Sequence, residues 1–288
     1  MLRELGHQVK IQVSWDGSKA DLMLALHARR SYDSIKRFAT CFPHLPLFVV
    51  LTGTDLYRDI KTDANAQESL QLATKLVVLQ DMALEELSPQ LRVKTQVIYQ
   101  SAKAVTPHPT IKKRFEVCLI GHLREEKDPF CSALAAVNLP LESKIHIIHI
   151  GRALDADMAT EAQRLMDMTP RYTWLGEIPH WKVRKKLSQC RLMVISSKME
   201  GGANVICEAL MADVPIIASA VSGNIGMLGR DYAGYYPCGN IQALADILNR
   251  AETDHAFYAH LKSQCATRKL LVQPEREKMG LEKLLHLG

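Results

Sequence analysis

The chain has 288 residues, of which 47% are hydrophobic and 23% charged, with a formal net charge of +5. These are ordinary globular values, and no apolar run reaches the roughly 18–20 residues that a membrane span requires. No cluster of five to eight Lys or Arg residues appears, which argues against nucleic acid as a partner, while a mild positive balance suits an anionic small substrate.

Residues 1–6 read as the tail of a helix closed by Gly6. Residues 7–14 (HQVKIQVS) alternate as a strand does. Residues 20–26 form a short apolar run of the buried-strand kind, followed at once by His27, Arg29 and Arg30. A helix is expected over 31–42 and a buried strand over 47–52, which ends in Gly53, Thr54 and Asp55. A helix (64–73), a strand (76–79), a helix (81–87) and a strand (93–99) complete the first half. Strands alternating with helices in this way predict a mostly parallel sheet. Ligands bind such sheets at the C-terminal ends of strands. The candidates there are His27, Arg29, Arg30, Thr52, Gly53, Thr54, Asp55, Gln80 and Gln100.

Residues 106–113 (TPHPTIKK) read as an interdomain linker. A second series follows, with strands at 115–120, 145–150, 171–175, 192–196 and 214–218. The helices between and after them are expected at 132–137, 158–168, 182–189 and 241–250. The tail from 256 to 287 reads as helical with a break near Pro274. The predicted domains are 1–107, 108–265 and a C-terminal helix, 266–288, returning toward the first domain. Two consecutive parallel sheets predict a two-domain enzyme with its site in the cleft between them. There is no G-x-G-x-x-G after a strand, no P-loop, no H-E-x-x-H and no G-x-S-x-G.

The stretch 198–229 carries the strongest local signal. It reads as a strand end, a glycine-bearing loop, a short helix, a buried strand and a second glycine-bearing loop. Gly201 and Gly202 leave the loop backbone open to close approach. A helix starting near Ala203 or Asn204 would point free N–H groups and a positive dipole end at that loop. Glu200 and Glu208 would then lie roughly 8–12 Å apart. Spacing alone leaves open that Glu200 is a plain loop residue and Glu208 a helix-surface charge. Seven scattered cysteines, never as C-x-x-C, predict reduced and mostly buried thiols in a cytoplasmic protein. No signal peptide is read at the N-terminus.

Residues 121–128 (GHLREEKD), 172–176 (YTWLG) and 196–219 (SSKMEGGANVICEALMADVPIIAS) resemble glycosyltransferase family 4. The resemblance implies the GT-B fold, with two facing Rossmann-like domains. It also implies a hexosyltransferase reaction on a UDP-sugar, without a metal or other cofactor. Glu200 resembles the acid that holds donor-sugar hydroxyls, and Glu208 the acid that holds the ribose. Gly201, Gly202, Ala203 and Asn204 would supply backbone donors, and Val205 would pack near the nucleotide. Arg124 and Lys127 resemble the basic pair on the diphosphate. His27 matches in position the family's histidine that faces the donor sugar.

Residues 51–59 (LTGTDLYRD), 97–102 (VIYQSA), 121–130 (GHLREEKDPF) and 197–210 (SKMEGGANVICEAL) are most similar to one branch, the selenosugar synthases of selenoneine biosynthesis. That branch implies UDP-N-acetylglucosamine as donor and selenophosphate as acceptor. Arg29, Arg30, Thr52, Gly53, Thr54 and Asp55 are the acceptor-side candidates. An ordinary family 4 transferase with a hydroxyl acceptor and a nucleotide-sugar-binding remnant without turnover are the alternatives. Relative to the family pattern, the N-terminal domain is expected to lack its first strand. With the order 3-2-1-4-5, that would separate the strands at 8–14 and 20–26 from those at 47–52 and 76–79.

Overall fold

A computed structural model describes residues 1–109 and 113–286. The chain divides into two units. The first comprises Met1–Ser101, Glu200–Gly202 and Gln273–Gly288, and the second Ala102–Met199 and Ala203–Val272.

The first unit holds a four-stranded sheet, β1 (Met23–Leu26), β2 (Leu47–Val50), β3 (Lys75–Val78) and β4 (Thr95–Val97), paired in that order. All three pairings are parallel. Between them run α1 (Tyr32–Cys41), a π-helical turn (Asp55–Asp59) leading into α2 (Ile60–Thr62), α3 (Ala64–Leu72), a 3-10 turn (Asp81–Glu86) and α4 (Pro89–Val93). One face of the sheet packs with Ile35, Phe38, Ala66 and Leu70 from α1 and α3. On the other, Phe48, Val50 and Val77 meet Leu281, Leu284 and Leu285 of the last helix, Pro274–His286. That helix is fixed further by Gln96 Nε2 donating to the Gly280 carbonyl at 2.9 Å and by Ser101 N–H donating to Glu277 Oε2 at 2.7 Å. Burial on both faces explains the continuous apolar strands, such as LFVV of β2.

The expected break in this sheet is not found. β1 pairs directly with β2, Met23 opposite Leu47 through Leu26 opposite Val50. Residues 7–14 form no strand, and Ile11 and Val13 are exposed. Alternation alone does not make a strand, because an extended segment needs a ladder partner and an apolar face to cover. Residues 1–6 form turns rather than a helix, closed by Gly6 at φ +88°.

The second unit holds six parallel strands, β5 (Phe115–Ile120), β6 (Ile145–Ile150), β7 (Tyr172–Trp174), β8 (Leu192–Ile195), β9 (Ile216–Ser219) and β10 (Tyr235–Tyr236). Their order is β10-β9-β8-β5-β6-β7. The chain moves outward from β5 to β7, then returns to β8 on the other side. The order therefore reverses between β5 and β8, the place where doubly wound sheets bind ligands. The helices are α5 (Cys131–Val137), α6 (Ala156–Met168), α7 (His180–Gln189), α8 (Asn204–Met211), α9 (Ser222–Leu228), α10 (Ile241–Thr253) and α11 (His255–Lys269), with Pro274–His286 as α12. Residues 222–228, read in the sequence as a glycine-bearing loop, are α9. Its Gly223 and Gly226 are buried.

The expected linker partly lies outside the described residues, at 110–112. The division between units falls at Ser101 and Ala102, and α12 joins the first unit from Gln273. All seven cysteines are free, five of them buried. Among the described residues no helix is long and apolar enough to cross a membrane.

Candidate functional site

In the first unit the site is built at the C-terminal ends of β1 and β2. His27 follows β1 at φ +74°, a left-handed conformation that costs a residue with a Cβ about 1 kcal/mol. Its N–H donates to the Val50 carbonyl at 2.9 Å, which extends the β1–β2 ladder by one rung. The ring is buried. Arg30 N–H donates to Nδ1 at 3.2 Å, and Nε2 lies 3.0 Å from Thr54 Oγ1. An acceptor at Nδ1 places the proton of the neutral ring on Nε2, so His27 is a hydrogen-bond donor. Burial holds its pKa below the ordinary histidine value. Asp55 and Asp59 pull the other way, and Arg30 and Arg29 add to the lowering.

Asp55 is fully buried and belongs to the frame. Its Oδ1 accepts from the N–H and the hydroxyl of Thr52, both at 2.9 Å, and Oδ2 accepts from Ala28 N–H at 2.9 Å. Both oxygens are spent on tying the turn after β2 to the turn after β1. In this structure the Asp55 carboxylate therefore holds the frame around His27. Arg29 Nε pairs with Asp63 at 3.0 Å, and Arg58 Nε with Asp59 at 3.0 Å. Arg30 is exposed, and no carboxylate pairs with it among the described residues.

Glu200, Gly201 and Gly202 pack into the same unit. A Cβ on Gly201 would lie 2.0 Å from the Thr52 carbonyl oxygen, and one on Gly202 would lie 2.4 Å from Leu79 Cβ. Gly201 is required by backbone-to-backbone approach and Gly202 by the packed Leu79 side chain, reasons that spacing did not show. Glu200 is buried at the head of this loop.

In the second unit the site is built at the C-terminal ends of β5 and β8, where the strand order reverses. After β5 the chain makes a short 3-10 turn, Glu125–Lys127, closed by Asp128 in the left-handed conformation at φ +44°. β8 is stitched to this turn. Ser196 Oγ donates to the carbonyls of Lys127 at 3.0 Å and Asp128 at 2.9 Å, and Lys198 N–H donates to the Glu126 carbonyl at 2.9 Å. The Lys127 stem runs over Gly121. Arg124 is exposed without a carboxylate partner among the described residues. Burial raises the Asp128 pKa, and Lys198 opposes that rise.

Beneath the turn, buried His149 Nε2 donates to the Gly121 carbonyl at 3.1 Å, and its Nδ1 accepts from the Tyr172 hydroxyl at 2.8 Å. Burial lowers the His149 pKa to about 4, against the Gly121 hydrogen bond. Gly151 sits so close to this carbonyl that a Cβ there would lie 1.8 Å from it.

α8 starts at Asn204 after Ala203, which supplies no side-chain cap. Glu208 in its second turn is buried, and its Oε1 accepts from His180 Nε2 at 2.6 Å. Ser219 Oγ donates to the Ser197 carbonyl at 2.6 Å, and Asn224 Nδ2 donates to Ser219. The structure thus brings His27, Thr52, Gly53, Thr54, Asp55 and Glu200–Gly202 together in one unit. Arg124, Lys127, Ala203, Asn204, Val205 and Glu208 lie in the other. His180, Ser196, His149 and Asp59 were not singled out from the sequence. Only His149 had a visible signal, a polar residue inside the apolar run IHIIHI. Among the described residues no group of three His, Cys, Asp or Glu side chains could hold a metal ion.

Residues 102–268 match the family described as glycosyl transferases group 1. Solved structures share the fold at low identity. HepE from Anabaena, in complex with UDP, is 19% identical with a TM-score of 0.78, over 92% of this chain and 78% of that one. Sucrose-phosphate synthase from Thermosynechococcus elongatus is 17% identical with a TM-score of 0.74, over 92% and 73%. A UDP-forming trehalose-phosphate synthase from Burkholderia xenovorans is 10% identical with a TM-score of 0.73, over 93% and 73%.

Proposed function

The chain belongs to the glycosyl transferases group 1 family and is a glycosyltransferase of GT-B fold, and we propose that it moves a hexosyl group, N-acetylglucosamine, from a UDP-sugar to selenophosphate. Structural relatives solved with UDP or described as UDP-forming support the donor class. On the donor side, Arg124 and Lys127 take the diphosphate, Asn204 and Val205 present the start of α8, and Glu208 takes the ribose. As the glycosidic C–O bond breaks, charge grows on the departing UDP. Cations fixed before the reaction stabilise that charge without reorganising.

The protonation of His27 carries the acceptor reading. With Nδ1 occupied by Arg30 N–H, its imidazole offers a proton at Nε2 and cannot accept one there. A hydroxyl acceptor needs a base, whereas selenophosphate is already an anionic nucleophile. Selenium attacks the anomeric carbon, the C–Se bond forms as the bond to UDP breaks, and water then releases phosphate from selenium. Arg30 is the cation available to that anion. Glu200 holds sugar hydroxyls, and His27 donates to the sugar or to its phosphate.

A second reading, transfer to a hydroxyl, draws on the acids beside His27. Asp59 and Asp63 neutralise Arg58 and Arg29, and Asp59 Oδ2 lies 3.8 Å from His27 Nε2. The test is incubation with UDP-N-acetylglucosamine and fresh selenophosphate, followed by mass spectrometry. A selenium isotope pattern on a hexosamine, formed together with UDP, is expected. UDP release with a hydroxyl acceptor and none with selenophosphate would overturn the first reading in favour of the second.

A further inference from the structure

Glu208 and His180 form an unequal pair. The carboxylate is buried, with a side-chain exposure of 6%, while the imidazole that holds it is 70% exposed. A buried carboxylate requires a partner. A partner serving packing alone is usually buried as well, and α7 supplies that comparison. Six residues further along, Lys186 Nζ reaches Glu116 Oε2 at 2.8 Å, with exposures of 21% and 5%. The same helix therefore carries one pair turned into the unit and one, at its first residue, open to water. His180 has no capping duty, since Pro179 precedes α7 without a side-chain cap.

The hydrogen bond is also selective between the two oxygens of Glu208. A carboxylate only accepts, so Nε2 of His180 carries the proton and Oε1 receives it at 2.6 Å. Oε2 has no hydrogen-bond partner among the described residues. A free carboxylate can take both hydroxyls of a vicinal diol, one on each oxygen. A carboxylate whose Oε1 is held by His180 is fixed in orientation, so Oε2, with neither lone pair engaged, is the stronger acceptor it presents to that diol.

We propose that His180 is a positioning residue for nucleotide binding, which fixes Glu208 so that a single oxygen, Oε2, accepts from one ribose hydroxyl. The proposal rests on the reading of Glu208 as the ribose acid. Its consequence is asymmetric recognition of the two ribose hydroxyls. Removing the engaged hydroxyl costs a charge-assisted hydrogen bond, and removing the other costs little. Without His180 the carboxylate turns freely and engages either hydroxyl, so the asymmetry shrinks.

The experiment is calorimetric titration of the full chain with UDP, 2′-deoxy-UDP and 3′-deoxy-UDP. The proteins are wild type, His180→Ala, His180→Gln and Glu208→Gln, each checked for an unchanged thermal unfolding profile. In wild type one deoxy analogue is expected to bind about tenfold or more weaker than UDP, and the other within about threefold, the scale of one hydrogen bond to a charged group. His180→Ala weakens UDP and brings the two analogues close to equal. His180→Gln, which restores a neutral N–H donor, recovers the wild-type ratio. An unchanged ratio and affinity in His180→Ala would overturn the proposal, and so would equal binding of both analogues by wild type. Failure of wild type to bind UDP at all would instead overturn the underlying assignment of the nucleotide.

Discussion

The Ser196 hydroxyl holds the carbonyl of Lys127 at 3.0 Å, so the end of β8 fixes the basic turn that follows β5. The same hydroxyl reaches the Asp128 carbonyl, and Ser196 is fully buried. Ser196→Ala leaves both carbonyls without this donor in a dry environment. Unfolding stability is expected to fall by about 1–3 kcal/mol, the cost of buried polar groups left unpaired. A urea midpoint measures it. Affinity for UDP should fall in the same variant because Lys127 loses its fixed position. Lys127→Ala should lose affinity with little change in midpoint. A Ser196→Ala protein with wild-type midpoint and affinity would contradict the stitched arrangement.

Gly201 is set by the protein's own backbone. A methyl group there would overlap the Thr52 carbonyl oxygen at 2.0 Å and the Gly53 nitrogen at 2.8 Å. Neither is the far end of a flexible side chain, so the loop itself must shift. Gly201→Ala is expected to cost about 1–3 kcal/mol as overpacking does, and to lower turnover because Glu200 moves with the loop. Gly280→Ala is the control. Its added methyl meets only the Ile98 side chain at 3.2 Å or beyond, and its helical position favours alanine by up to about 1 kcal/mol. A thermal midpoint for Gly201→Ala equal to that of Gly280→Ala would refute the assignment.

His27 combines a strained backbone with a directed ring. Asparagine tolerates positive φ better than most residues but cannot reproduce the distance from backbone to Nε2. His27→Asn should fold with near-wild-type stability and lose turnover by about a hundredfold or more, the scale of a positioned proton donor. His27→Gly should remove the strain of φ +74°, keep or raise stability, and be as inactive as His27→Asn. Steady-state kcat alongside a denaturation curve separates the two effects. Full activity in His27→Gly would exclude the ring from the reaction.

The parts legible in the sequence are those where one local pattern has one structural outcome. Runs such as FEVCLI and IHIIHI became β5 and β6 because both faces of their sheet are covered. The helix after Ala203 and the turn carrying Arg124 and Lys127 stand where the pattern placed them. Residues 7–14 misled because alternation says nothing about a ladder partner. Asp55 was legible only in part. Its position after β2 marks it as a candidate, and only the structure shows that its oxygens accept from Thr52 and Ala28. His180 was invisible because its partner Glu208 is 28 residues away and on another helix. Pairings at that separation follow from the strand order β5-β8, which sequence period does not encode.

His149 makes the last prediction, on stability against pH. Its folded pKa is lowered to about 4 by burial, whereas the unfolded chain has the ordinary value of about 6.5. The unfolded state therefore binds the proton first as pH falls. The stability contributed by the neutral ring is fully present above about pH 6.5 and is lost progressively down to about pH 4. Between pH 7 and pH 5 the loss from this one group is about 2 kcal/mol. His149→Gln keeps an N–H donor for the Gly121 carbonyl without a titrating ring. It should be less stable than wild type at pH 7, because the Tyr172 contact is remade imperfectly, but should lose less stability between pH 7 and pH 5. Urea unfolding at both pH values gives the difference. If wild type and His149→Gln lose the same amount, the acid sensitivity resides in other groups and His149 is not neutral for the reason given.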